Sequence, residues 1–98
     1  MPFYIKNKDD NWVRLSSHTD IRDDDRRLLA SVYLDQEDPD QLTFSIPEDV
    51  TVIAISERRD VVFPGQEDLI NRDDIVIYNL HTGEMIAAVI HSNEPIEG

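Results

Sequence analysis

Apolar and polar positions alternate with different periods along the 98-residue chain. FYIKNKDDNWVRL sets two short runs of strand-favouring residues around the polar NKDDN, the pattern of a hairpin, and makes Phe3 and Trp12 core or near-core residues. In SSHTDIRDDDRRLLASVYL the period changes. Ile21, Leu28, Leu29 and Val32 fall at i, i+7, i+8 and i+11, with Asp25 interrupting the stripe, and this spacing predicts a helix near residues 20–31. Ser17, Thr19 and Asp20 are capable N-caps, Ser17-x-x-Asp20 has the outline of a capping box, and Asp23 is placed to meet Arg26 or Arg27. A helix start thus accounts for most of DIRDDDRRLL and leaves Asp24 and Asp25 over.

Beyond it, SVYL ends the helix or begins a strand, and DQEDPDQ is a turn-forming loop. LTFSIP, VTVIAIS and DVVFPG recur with polar turns between them, which predicts antiparallel sheet, and PGQEDLINRDD reads as a loop or a short helical turn. DIVIYNLHTGEMIAAVIH is a hairpin turning at Gly83. With a three-residue loop at His81-Thr82-Gly83, Leu80 faces Glu84, Ile77 faces Ala87 and Ile75 faces Val89. One face is then Ile75, Ile77, Ala87 and Val89, and the other Val76, Tyr78, Leu80, Ile86, Ala88 and Ile90. Both are apolar, so something must cover each. The expected fold is α+β: a mainly antiparallel sheet of about six to eight short strands with the one helix. A small β-sandwich or half-open barrel is the alternative. The chain reads as one domain, 1–98, with 92–98 a frayed tail.

Charge narrows the function. Twenty-one acids against nine bases give −12, and the excess is −6 in each half of the chain, so the acidity is no mere tail. Such a surface repels nucleic acid and anionic membranes, and the expectation is no direct contact with either. Ordinary solubility is one reading of this acidity, since a net charge of magnitude up to about 8 is already usual for a small soluble domain, and a surface selected to meet a basic partner is another. Halophilic adaptation fits the fourteen aspartates and two lysines but not the eleven isoleucines and three glycines. The absence of cysteine excludes disulfides, thiolate metal sites and a cysteine nucleophile. With no signal-like or membrane-spanning run, a cytoplasmic protein is expected.

The search for chemistry yields little. An EF-hand loop begun at Asp35 would need glycine where Asp40 stands and glutamate where Ile46 stands. His18, His81 and His91 lack metal-site spacing, and Gly65, Gly83 and Gly98 are too isolated for a phosphate loop. Ser17, His18 and Asp20 are neighbours in sequence, which is not triad geometry. No metal, no cofactor and no enzymatic activity are expected. The leading expectation is an inhibitor or decoy whose carboxylates take the place of nucleic-acid phosphates on a basic partner protein, the principle of phage-encoded anti-restriction and anti-CRISPR inhibitors. Asp23, Asp24, Asp25, Asp35, Glu37, Asp38 and Asp40 are the partner-binding candidates, with only Arg26 and Arg27 inside that window. The alternative is a structural or regulatory module, a homodimer or complex subunit, that assembles through hairpin 74–91. Its self-association candidates are Ile75, Ile77, Tyr78, Ile86 and Ile90.

Overall fold

Strand periodicity prevails over helical spacing wherever the two compete. A computed structural model describes residues 3–7 and 11–92, and among these it contains ten strands and no helix. The strands are β1 (Phe3–Asn7), β2 (Val13–Arg14), β3 (His18–Arg22), β4 (Leu28–Leu34), β5 (Gln41–Ser45), β6 (Val52–Ser56), β7 (Val61–Val62), β8 (Glu67–Asn71), β9 (Ile75–Asn79) and β10 (Met85–His91). They form a six-stranded sheet in the order β2-β1-β10-β9-β6-β7 and a four-stranded sheet in the order β3-β4-β5-β8. All pairings are antiparallel. Among the described residues no helix is therefore long and apolar enough to cross a membrane.

The expected helix at 20–31, and with it the α+β class, is overturned. The β-sandwich alternative is the one that fits, with more strands than the six to eight expected. Residues 18–22 and 28–34 form a hairpin, with Thr19 opposite Val32 and Ile21 opposite Ala30. The helix reading failed because the same aspartate serves both structures. A side-chain carboxylate that can cap a helix can equally close a turn on its own backbone. Asp23 does the second: its Oδ1 accepts N–H bonds from Asp25 (2.9 Å) and Arg27 (2.8 Å). Val32 and Tyr33 then favour the extended chain, and β5 supplies a second pairing partner for it. The stretch read as a loop, PGQEDLINRDD, contains β8, the edge of the four-stranded sheet.

One core lies between the sheets. Phe3, Val52, Ile75, Ile77 and Val89 enter it from the six-stranded sheet, and Ile21, Val32, Leu42 and Phe44 from the other, all essentially inaccessible to solvent. Each such burial stabilises the fold by about 1.5–3 kcal/mol before conformational entropy is counted. Phe3 is a core residue as its sequence context implies, whereas Trp12 is half-buried, with Lys6 Nζ 5.5 Å from its ring centre.

The C-terminal hairpin pairs Ile77 with Ala87 and Ile75 with Val89, as expected. The expected Leu80–Glu84 pairing is absent. Asn79 N–H donates to Glu84 O (2.9 Å), and Leu80 N–H donates instead to Thr51 O (2.8 Å). The register shifts between Met85 and Ala87, making Ile86 an extra residue, and Gly83 takes a φ of 70° that suits glycine. One hairpin face, with Ile75, Ile77, Ala87 and Val89, is the core side. The other is the outer surface of the six-stranded sheet. Of the tail expected to fray, all but Ser92 lies outside the described residues.

Candidate functional site

The seven acids expected to form one partner-binding patch are divided by β4. Asp23, Asp24 and Asp25 lie in the β3–β4 turn, while Asp35, Glu37, Asp38 and Asp40 lie in the β4–β5 loop. The strand between them has seven residues, so the groups stand about 20 Å apart at about 3.3 Å per residue. They form two acidic ends of one sheet.

Several of these carboxylates are occupied by their own backbone. Asp23 closes its turn as described, and there Arg26 takes a left-handed φ of 64°. Asp35 Oδ1 accepts N–H bonds from Glu37 (2.8 Å) and Asp38 (3.0 Å), and Asp38 Oδ1 accepts one from Asp40 (3.0 Å). Asp40 is turned inward, 2.9 Å from His91 Nε2 and 3.2 Å from Arg72 Nε. The His91 ring is nearly buried and packs at 4.9 Å on Phe3, so this contact ties the loop of one sheet to the last strand of the other. Asp24, Asp25 and Glu37 are exposed, and their carboxylates make no hydrogen bond or ion pair among the described residues.

Between the two ends lies the outer face of the four-stranded sheet. Its register sets His18, Tyr33, Thr43 and Leu69 in one row across all four strands. His18 stacks on Tyr33, with ring centres 4.4 Å apart and planes 9° from parallel, and Tyr33 and Leu69 are 47% and 60% exposed. The next row is Asp20, Ser31, Ser45 and Glu67. Asp20 Oδ1 lies 2.7 Å from His18 Nε2 and accepts from Ser31 Oγ (3.0 Å), while Oδ2 meets Arg22 Nη2 (3.1 Å). Burial pushes the Asp20 carboxyl up, but the Ser31 hydrogen bond, then His18 and Arg22, outweigh it and hold the group below the usual carboxylate range. The order of contacts matters for chemistry. In a hydrolytic triad the imidazole stands between hydroxyl and carboxylate, whereas here the carboxylate stands between Ser31 and His18.

Strands β3, β4, β5 and β8 with the turns joining the first three carry ten carboxylates against three arginines, a net of −7 from residues 18–45 and 67–71. The sequence reading had missed Tyr33, Glu67, Asp68 and Leu69. Tyr33 lay in SVYL, which reads as a helix end or a strand start, and the rest were hidden by the loop assignment. For Tyr33 the available signal was the strand preference of Val32 and Tyr33.

At the β3–β4 end the sheets part to leave a cleft of about 550 Å³. Two extra residues, Leu29 of β4 and Ile86 of β10, sit at register shifts, and both line it. Bulges re-aim side chains in this way. Val50 and Val52 extend the apolar lining, and Asp23, Asp24, Asp49, Glu84, Arg22 and Arg27 supply the charge. Arg27 is tied to Asp49, donating to its carbonyl at 2.8 Å. Among the described residues, no three histidine, aspartate or glutamate side chains gather as a metal site.

Of the residues expected to self-associate, Ile75 and Ile77 are completely buried in the core, and Ile86 packs against it. Tyr78 and Ile90 are half-buried on the outer face of the six-stranded sheet.

Fold and surface together define a small antiparallel β-sandwich with a strongly acidic four-stranded sheet. No family model, no curated protein and no solved structure matches the chain.

Proposed function

We propose that this chain is a non-enzymatic interaction protein whose four-stranded sheet binds a basic, nucleic-acid-handling surface of a partner protein. The observation that carries the reading is the gathering of carboxylates on that sheet: ten against three arginines, concentrated at both ends of β4. Density supports it. The net −7 of that sheet along a molecule 33 Å long makes about one charge per 5 Å, within about a factor of three of the about one per 1.7 Å of a DNA duplex. The exposed His18–Tyr33 stack and Leu69 lie between the acidic ends and give a partner arginine or apolar side chain a surface on which to pack. Opposite potentials of this kind speed encounter and fix orientation.

The test is retention of partner proteins on the immobilised chain, eluted with rising salt, beside a variant carrying Asp24→Asn, Asp25→Asn, Glu37→Gln and Glu67→Gln. These four positions are exposed, and none holds a turn together. The expected result is a basic protein released at moderate salt, displaced by duplex DNA, and bound at least tenfold more weakly by the variant. Retention that the variant, salt and DNA all leave unchanged sinks the reading.

A further inference from the structure

The two broad faces of the molecule differ in a way that the acidic sheet does not explain. On the outer face of the four-stranded sheet polar residues dominate, as an antiparallel sheet open to water requires. The outer face of the six-stranded sheet breaks that rule. Its central registered positions are Ala88, Val76 and Ile55 in one row and Tyr78 and Ile53 in the next, with Val61 at the edge. The only charged side chains at strand positions on this face are Lys6 and Arg14, both basic, in a chain with twenty-one acids. Among the described residues of this face Tyr4 is buried and Ile53, Ile55, Val76, Tyr78, Ala88 and Ile90 are half-buried.

We infer that this face is where a second copy of the chain packs, sheet against sheet, about a two-fold axis running parallel to the strands between β9 and β10. Two arguments select a copy of the chain itself. The first is electrostatic. Two molecules of net charge −12 repel through most of their surfaces, and this face, whose strands carry no carboxylate although Glu57 and Asp74 stand just beyond the ends of β6 and β9, is the one whose contact keeps the acidic sheets farthest apart. Each acidic sheet is then a layer of about 10 Å further out, beyond the Debye length of about 8 Å at physiological salt, while Lys6 and Arg14 face the other molecule's negative field. The second is area. The six strands hold 26 residues, which at about 3.3 Å per residue and about 4.8 Å between strands outline about 400 Å², and side-chain relief and bordering turns raise this toward the about 800 Å² per partner of a stable interface. A self-complementary patch of this kind closes into a dimer. The inference stands independently of whether the acidic sheet binds a basic partner.

The chain has no cysteine, so a single introduced thiol reports one position cleanly. Ala88 lies beside the proposed axis and would meet its own copy. Sedimentation equilibrium of the full chain over a wide concentration range is expected to give twice the chain mass. With a bis-maleimide cross-linker spanning about 10 Å, Ala88→Cys should become a covalent dimer, while Glu67→Cys, on the opposite face, should not. Val76→Glu should weaken association at least tenfold with an unchanged far-ultraviolet circular dichroism spectrum. Should Val76→Glu fail to fold, the Ala88→Cys and Glu67→Cys pair decides. A chain that sediments as a monomer throughout, a dimer that Val76→Glu leaves intact, or equal cross-linking at both thiols overturns the inference.

Discussion

Asp20 shows how one carboxylate can hold a surface together. It joins His18, Arg22 and Ser31, which lie on two adjacent strands, and in doing so fixes the imidazole that stacks on Tyr33. Because its folded pKa is depressed, the linkage has a definite sign. The stabilisation is complete above the unfolded value of about 3.9 and is lost as pH falls through the lower folded value. Asp20→Asn should therefore cost about 1 kcal/mol near neutral pH, a figure kept small by partial exposure. Urea titrations of both proteins should show the gap narrowing as pH falls below the usual carboxylate range and wild-type Asp20 takes up its proton. A gap independent of pH would mean that packing, and not charge, is what the substitution disturbs. His18 and Asp20 were visible in the sequence as near neighbours, but their meeting depends on strand geometry. Two positions apart, they share one face of β3, which a helix would not have given them.

Among the strands and turns, the acids divide by duty. Asp35 closes the β4–β5 loop through two backbone N–H groups, whereas Glu37, two residues on, points into solvent. Asp35→Ala is expected to lower stability by about 1 kcal/mol in thermal or urea unfolding, and Glu37→Ala to stay within about 0.5 kcal/mol of wild type. Equal losses at both positions would make net charge, rather than turn closure, the governing term. The division also explains which elements could be read in advance. Strands β5, β6 and β7 and the two terminal hairpins followed from alternation and turn residues, since local pattern and tertiary environment agree there. The β3–β4 hairpin did not. Its leucines sit at spacings that suit a helix, its aspartates satisfy either a cap or a turn, and only pairing with β5 resolves the ambiguity. Strand β8 was unreadable for a related reason: as an edge strand it buries Ile70 alone, so three of its neighbours are polar.

For the whole molecule, legibility was limited to sums. Net charge and the abundance of apolar residues were plain in the sequence, but their segregation onto different sheets comes from topology, which sends β3, β4, β5 and β8 to one side and the rest to the other. The same topology joins the two ends of the chain. Strand β1 pairs with β10 along five registered positions, and its other neighbour, β2, is only two residues long. A chain ending at residue 84 should therefore detach β1 and β2 from the remaining β9-β6-β7 and show no cooperative thermal transition by circular dichroism. A native-like melt of that fragment would show that β9, β6 and the four-stranded sheet suffice.

In the cell this adjacency becomes a matter of timing. A ribosome releases β1 first and β10 last, and at about 5–20 residues per second the first strand waits on the order of several seconds for its partner to be made. Throughout that interval Phe3 and Ile5 have no neighbouring strand beyond a two-residue stub. The nascent chain therefore presents a strand edge to chaperones, and β10 must be made before the six-stranded sheet can close.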